Sequence, residues 1–300
     1  TNVSDHVINT MFGAVENIEV PQRTGYIFKG WKKTKGNSQV NTSLTEDTIV
    51  ILGTEDTTIL AQWAANKYML TLDANGGTLT SSTKEVTYNL TYGALGRPVR
   101  TGYTFKGWYT SKTYESEVTR TTKISQAANH TIFAKWEANK YTLKINYNGG
   151  EGEETTRQVT YDESIGTVPV TSKEGNTFVK WHIDGQIITD GYVYKYDSDK
   201  ELTAQWEASK CNLTIDPNGG TYNGSSAETV SLVDYGTELI LETPTRLGYK
   251  FDGWTITGSS TLQDNKLTVK GENTKLVAKW STKSGYLAIK YNCSELEDYG

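Results

Sequence analysis

The eight residues TGYTFKGW, at positions 101–108, recur along this chain. Close copies are TGYIFKGW at 24–31 and LGYKFDGW at 247–254, and a degraded copy, EGNTFVKW, lies at 174–181. A closing motif follows each copy, as LAQW, FAKW, TAQW or VAKW. All tryptophans of the chain end one of these motifs: Trp31, Trp63, Trp108, Trp136, Trp181, Trp206, Trp254 and Trp280. Motifs that return in a fixed order indicate a tandem array rather than one large domain.

Each repeat opens and closes with the alternation of a strand. In the second repeat, YMLTLDANGG at 68–77 alternates apolar and polar side chains and then reaches Asn-Gly-Gly. Because Asn and Gly tolerate the positive φ of tight turns, this pattern predicts a strand that enters a hairpin. The closing motif places Ile132, Ala134 and Trp136 on one face, and every repeat has the same spacing. This period of two predicts a second strand.

The motifs also predict where the repeats begin and end. We expect a partial repeat that lacks its first strand, three full repeats and the start of a further one, at 1–64, 65–137, 138–207, 208–281 and 282–300. The joints AANKY, EANKY and EASKC follow the closing tryptophans directly and leave almost no flexible linker. Neighbouring repeats should therefore stack with restricted hinges.

The motifs resemble those of a known family. Asn-Gly-Gly, Gly-Tyr-x-Phe-x-Gly-Trp and Ala-Lys-Trp, in this order, are similar to the Listeria–Bacteroides repeat (internalin B-repeat) family of bacterial surface proteins. The resemblance covers essentially the whole chain and implies a mostly β (α+β) fold, a tandem array of small β-grasp-like (ubiquitin-like) modules. Repeat 3 departs from the pattern, because Asn176 replaces the tyrosine and Lys180 replaces a glycine.

The family resemblance also implies a function. Such repeats usually form a stalk or spacer, so we expect a secreted, extracellular region at the bacterial cell surface that has no catalytic role. The alternative is adhesion, in which the module binds a host surface glycan or protein. A recurring exposed aromatic or charged patch in each repeat would favour adhesion over the spacer.

The aromatic residues have two interpretations. Tryptophans in a repeat can serve as sugar-stacking platforms, but here they alternate in phase with small and aliphatic residues. Since a module of this size has few other large apolar groups to bury, we expect all eight to be structural core. Tyr192, Tyr194 and Tyr196 form a period-two row found only in repeat 3. Packing is the simpler interpretation, yet these three are candidate ligand contacts because tyrosines are favoured at interfaces.

Composition and motifs argue against several classes of function. A net charge of −5 and a pI near 5.4 argue against a nucleic-acid partner, which usually requires a basic face. A hydrophobic content of 36% suffices for small cores but not for a membrane span. The three histidines are scattered, and we find no metal-ligand spacing, phosphate loop or nucleophile motif. We therefore expect a monomer that is not an enzyme and that binds no cofactor or metal.

Two features stay open at the level of sequence. The segment between the tryptophans of repeat 2, at 119–131, is compatible with a short helix or a turn, whereas its counterpart at 191–200 looks extended. An internal lysine–asparagine cross-link is compatible with a surface stalk, but the sequence points to no particular pair.

Overall fold

A computed structural model describes residues 5–44 and 46–285 of the chain. The regular elements of these residues are 22 β-strands, and they include no helix. The fold is therefore all-β, with several small sheets in tandem. Residues 119–131 contain turns, an isolated bridge and the start of a strand, so the helix alternative was wrong. The expected opening strand of a further repeat, at 286–295, lies outside the described residues.

The described residues form two compact units. The first runs from residue 5 to 141 and also includes Thr160–Glu163 and Val193–Ser198. It therefore contains repeats 1 and 2 with three short segments of repeat 3, at 138–141, 160–163 and 193–198. The second unit contains the rest of repeat 3 and all of repeat 4.

Repeat 1 contains two small antiparallel sheets. Its strands are β1 (Val15–Ile18), β2 (Tyr26–Lys35), β3 (Gln39–Asn41), β4 (Thr48–Ile51) and β5 (Thr58–Ala65). Strand β4 lies between β1 and β3, and β2 pairs with β5. Phe28 and Val50 are its buried apolar residues.

Repeats 2 and 3 each form one five-stranded mixed sheet. Repeat 2 contains β6 (Lys67–Asp73), β7 (Thr83–Thr87), β8 (Tyr103–Tyr109), β9 (Glu117–Val118) and β10 (His130–Ala138). Repeat 3 contains β11 (Lys140–Asn146), β12 (Thr156–Thr160), β13 (Asn176–Ile183), β14 (Gln186–Ile188) and β15 (Lys200–Ala208). The strand orders are β7-β6-β10-β8-β9 and β12-β11-β15-β13-β14. The closing strand is thus central, parallel to the opening strand on one side and antiparallel to the Gly-Trp strand on the other.

Repeat 4 combines both arrangements. Its strands are β16 (Lys210–Asp216), β17 (Thr229–Asp234), β18 (Glu238–Ile240), β19 (Tyr249–Thr257), β20 (Thr261–Gln263), β21 (Lys266–Thr268) and β22 (Asn273–Thr282). The main sheet has the order β17-β16-β22-β19, and a second sheet has the order β18-β21-β20. The small three-stranded sheets of repeats 1 and 4 were not predicted, because each forms from short segments without a long alternating pattern.

In repeats 2, 3 and 4 the core lies on the inner face of the closing strand, whereas the closing strand of repeat 1 has no buried residue. In repeat 2, Ile132 and Ala134 of β10 pack with Leu70 and Leu72 of β6, which are buried like them. The parallel register places Ile132 opposite Leu72. In repeat 4, Leu276 and Ala278 of β22 fill the same role beside β16. The inward side chains of this central strand are covered by the core, which accounts for the regular alternation of the closing motif.

The Asn-Gly-Gly turns are held to the closing strand by the asparagine side chain. Each asparagine has a positive φ, between 47° and 52°. Its Nδ2 donates to the backbone carbonyl of the alanine two residues before the closing tryptophan, at 2.9 to 3.2 Å. The three pairs are Asn75–Ala134, Asn148–Ala204 and Asn218–Ala278. The motif thus fastens the first hairpin of the repeat to its last strand.

This contact makes Asn75→Asp destabilising by about 1–3 kcal/mol, since a carboxylate would replace the donor and face the Ala134 carbonyl. The folded state should raise the pKa of the new carboxyl, so the loss should be complete at neutral pH and should shrink as the pH falls. Urea unfolding at several pH values measures it. Asn223→Asp is the matched control, because Asn223 is an exposed turn residue with a φ of 47°. An equal loss in both variants would contradict the role of the Asn75 hydrogen bond.

Candidate functional site at the joints between repeats

The three candidate tyrosines of repeat 3 do not form one exposed row. Tyr194 is fully buried, and its hydroxyl donates to the carbonyl of Ser198 at 2.8 Å. Its ring lies 5.4 Å from that of Tyr196 and 6.1 Å from that of Tyr141. Tyr194 therefore offers no surface to a ligand in this conformation, whereas Tyr192 and Tyr196 are half-buried. Ligand contact by Tyr192 and Tyr196 stays a prediction.

A comparison of repeats shows why Tyr194 lies in the core. Its carbonyl accepts the N–H of Asp162, and in repeat 2 the Ile124 carbonyl accepts the N–H of Asn89 in the same place. Ile124 is also buried. An alignment that paired Tyr194 with Ile124 would have indicated an inward side chain, but the irregular sequence of this segment hides that register.

The tryptophans occupy two environments. Trp108, Trp181 and Trp254 of the first motif are buried, with 2% to 7% of their surface exposed. Trp31 and the four tryptophans of the closing motif are half-buried: Trp63, Trp136, Trp206 and Trp280. In each repeat the phenylalanine of the Tyr-x-Phe motif packs between the two indoles, with ring centroids 5.4 to 5.9 Å apart. Their energetic role as core stays a prediction.

The closing tryptophan also explains the second glycine of Asn-Gly-Gly. The indole N–H of Trp136 donates to the carbonyl of Ala74 at 2.9 Å, and its ring covers Gly77 so closely that a methyl group there would overlap it. Trp206 over Gly150 and Trp280 over Gly220 repeat this arrangement. The glycine is needed because the ring occupies the place of its Cβ.

The first tryptophan distinguishes two types of repeat. The indole N–H groups of Trp108 and Trp181 donate to the carbonyls of Gly96 and Pro169, at 2.8 and 3.0 Å. Those of Trp31 and Trp254 are buried and find no acceptor among the described residues. Repeats 1 and 4 are the two that carry a separate three-stranded sheet. The segment before their Gly-Trp strand is therefore held differently from its counterparts in repeats 2 and 3.

Each joint between repeats is held by the same two backbone hydrogen bonds. The residue three places after the closing tryptophan donates its N–H to the carbonyl of the Gly-Tyr glycine of its own repeat. Its carbonyl then accepts the N–H of a tyrosine in the next repeat. The triads are Gly25–Asn66–Tyr88, Gly102–Asn139–Tyr161 and Gly175–Ser209–Tyr235, and every N···O distance is 2.8 or 2.9 Å. Each triad lies within one compact unit.

The same tyrosine packs on the glycine of the preceding repeat. The rings of Tyr88, Tyr161 and Tyr235 cover Gly25, Gly102 and Gly175 so closely that a methyl group on any of these glycines would overlap the ring. These glycines also have a φ between +66° and +80°, which side-chain-bearing residues rarely adopt. The sequence predicted only a loop at this glycine, so its contact with the next repeat is a finding of the structure.

Aromatic and charged contacts reinforce the first two joints. The ring of Tyr26 meets that of Tyr88 edge to face at 5.5 Å, and Tyr103 meets Tyr161 in the same way. The guanidinium groups of Arg23 and Arg100 lie over Tyr26 and Tyr103, at 4.1 and 3.8 Å from the ring centroids. An aromatic pair contributes about 0.5–1.5 kcal/mol and an exposed cation–π contact about 0.5–1 kcal/mol. Together they stiffen a joint that the backbone bonds already define.

The second joint also carries a small polar network. The hydroxyl of Tyr103 donates to Asp162 at 2.9 Å, and Lys195 pairs with the same carboxylate. These hydrogen bonds, first that from Lys195 and then that from Tyr103, lower the pKa of Asp162. The pKa of Tyr103 is raised, first by burial and then by the bond to Asp162. The Asp162 contribution is thus present above the ordinary carboxyl pKa and is lost as the pH falls through the lower folded value.

A family model identifies these repeats. The model of the Listeria-Bacteroides repeat domain matches residues 5–62, 68–135, 141–205 and 212–279. The chain belongs to the Listeria-Bacteroides repeat family. Each of the four matched segments contains the first tryptophan motif of its repeat and ends one residue before the closing tryptophan.

The relatives of this Listeria-Bacteroides repeat chain include two bacterial proteins named as membrane proteins and an internalin. Two proteins of Evansella cellulosilytica, named as a Gly-rich membrane protein and a membrane protein, are 33% identical over 240 residues and 27% identical over 287 residues. These matches cover 77% and 91% of the chain. Internalin H of Listeria monocytogenes is 32% identical over 119 residues, or 40% of the chain. The chain spans only 26%, 41% and 20% of the lengths of these relatives.

Residues 5–44 and 46–285 contain no group of three or more His, Cys, Asp or Glu side chains that could hold a metal ion. Within the same ranges, no helix is long and apolar enough to cross a membrane.

Lys144 and Asn146 share the carboxylate of Glu201, at 2.9 and 2.7 Å. The side chain of Lys144 is 65% exposed, so this pair is not the buried lysine–asparagine pair that an internal cross-link would require.

Proposed function

We propose that this chain is a non-catalytic, extracellular stalk or spacer region of a bacterial cell-surface protein. The observation that supports it best is the joint, which is built from the same hydrogen-bonded triad at three successive positions. A spacer requires that each repeat be fixed to the next, whereas a string of independent binding modules does not. The names of the Evansella relatives and of Internalin H are compatible with a membrane or surface location.

We also propose that each repeat is β-grasp-like. The support is the strand order of repeats 2 and 3, in which the first and last strands pair in parallel at the centre of a mixed sheet. The segment between the returning strand and the Gly-Trp strand, residues 88–102 in repeat 2, occupies the position of the grasping helix and consists of turns, bends and isolated bridges instead. Repeats built in this way present their opening and closing strands at adjacent places, which suits direct connection of one repeat to the next.

Small-angle scattering of the 300-residue chain tests the spacer. A compact globule of this length has a radius of gyration of roughly 19 Å, and we expect a value well above it. The short joints should prevent the repeats from folding back on each other, so the value should change little with salt. A radius near that of the compact globule would contradict the spacer and favour adhesion through a shared groove.

Adhesion to a host glycan or protein is the second candidate function. The half-buried rings of Tyr192 and Tyr196 support it, together with a cleft at the second joint lined by Arg100, Asp162 and Lys195. Glycan-array and surface-binding assays with the whole chain examine this candidate. Binding that is lost when Tyr192 and Tyr196 become alanine, in a chain that melts normally, would move adhesion to first place.

A further inference from the structure

We propose that the joint between repeats 3 and 4 is a hinge, and that it is the bending point of the stalk. That this hinge bends a stalk rests on the proposed function. That the third joint is more mobile than the first two does not. The third joint keeps the hydrogen-bonded triad Gly175–Ser209–Tyr235 and the packing of Tyr235 on Gly175. What distinguishes it is the absence of the aromatic pair that reinforces the other two joints.

The difference arises from one position of the repeated motif. Where repeats 1 and 2 have Tyr26 and Tyr103, repeat 3 has Asn176. The Nδ2 of Asn176 donates to the carbonyl of Glu174 at 2.8 Å, so this side chain bonds within its own loop and not across the joint. Tyr235 consequently has no ring to meet edge to face. Lys173, at the position of Arg23 and Arg100, has no ring to cover and donates to the Asn148 carbonyl at 3.0 Å.

Apart from the packing of Tyr235 on Gly175, the side-chain contacts that remain at the third joint are single polar ones. The hydroxyl of Tyr235 donates to the carboxylate of Glu174 at 2.8 Å, and the hydroxyls of Thr177 and Ser209 lie 3.1 Å apart. The side chain of Glu174 is exposed, so water competes for its hydrogen bond. The first two joints have a hydroxyl bond as well, between Asn89 and Tyr26 and between Tyr103 and Asp162. Compared with the first two joints, the third joint thus lacks the aromatic pair and the cation that lies over it.

This loss should make the third joint open more often. An aromatic pair with a stacked cation favours the closed joint by about tenfold, because each factor of ten corresponds to about 1.4 kcal/mol. Opening of a joint breaks the hydrogen bond that the next repeat donates, while the sheets on either side stay formed. The N–H groups of Tyr88, Tyr161 and Tyr235 are therefore three built-in reporters of joint opening.

Native-state hydrogen exchange of the full chain, followed residue by residue by NMR, tests the hinge. After correction for intrinsic rates, we expect the Tyr235 amide to exchange about tenfold faster than those of Tyr88 and Tyr161. Exchange of the strand amides in β11 and β16 serves as the reference, because it reports unfolding of whole repeats. A Tyr235 amide that exchanges as slowly as the other two would overturn the proposal.

Two reciprocal variants distinguish opening of the third joint from low stability of repeat 4 as a whole. Asn176→Tyr should slow the Tyr235 amide toward the rate of Tyr161 and leave Tyr88 unchanged. Tyr103→Asn should speed the Tyr161 amide about tenfold and leave Tyr235 unchanged. If neither variant moves its joint reporter, the aromatic pair does not control opening and the hinge is wrong. A compact scattering profile with these exchange results would reject the stalk and keep the hinge.

Discussion

Replacing Trp108 by alanine is expected to lower the free energy of unfolding of repeat 2 by roughly 3–5 kcal/mol. Trp108 is 3% exposed, and its ring lies against Phe105 at 5.6 Å. Its removal leaves a cavity at the centre of a small core and leaves the Gly96 carbonyl without its donor. A module of about 70 residues has little stability to lose, so the repeat should unfold or nearly so.

The measurement is a calorimetric melt of the full chain, with hydrogen exchange to locate the repeat that is lost. Stability of tandem repeats is approximately a sum over repeats and their interfaces, so repeats 1 and 4 should melt nearly as before. Leu247→Ala is the matched control, because Leu247 is fully exposed and should change the stability by less than about 0.5 kcal/mol. A Trp108→Ala chain with an unchanged melt and a lost sugar affinity would make the tryptophans a binding platform.

Gly102→Ala should uncouple repeats 2 and 3, with the next largest effect. The new methyl group would overlap the ring of Tyr161, and the φ of +76° adds strain of its own. We expect roughly 1–2 kcal/mol from the backbone conformation and about 1–3 kcal/mol from overpacking. Urea unfolding should show a broader transition, and the Tyr161 amide should exchange faster, because the joint opens while the sheets persist.

Gly248→Ala separates the two causes. Gly248 occupies the same place in the motif of repeat 4 and has a φ of +81°, but no described atom lies within 4 Å of its Cβ position. It should therefore lose only the backbone part. A Tyr161→Ala background should likewise reduce the cost of Gly102→Ala, since the contact that it disturbs is gone. Equal costs at Gly102 and Gly248 would show that Tyr161 does not need the glycine.

The features that depend on local spacing could be predicted from the sequence. Period-two alternation identified the opening and closing strands, and Asn-Gly-Gly identified the hairpin, because strand and turn geometry act over a few residues. The recurrence of both tryptophan motifs identified the array and its family. For the same reason, the structure of the irregular segments could not be predicted from local spacing. The small sheets of repeats 1 and 4 form from strands of three or four residues, too short for a pattern to emerge.

The contacts between the repeats, and the burial of individual side chains, could be seen only in the tertiary structure. Nothing in the sequence relates Gly102 to Tyr161, since 58 residues lie between them. In the structure the ring of Tyr161 nevertheless packs on Gly102. Tyr194 was a candidate ligand contact, with packing as the simpler interpretation, and it is buried in the place that Ile124 takes in repeat 2. Local spacing determines which face a side chain takes relative to its neighbours in sequence. Which atoms cover that face depends on contacts between distant residues, and these form only when the sheets and joints assemble.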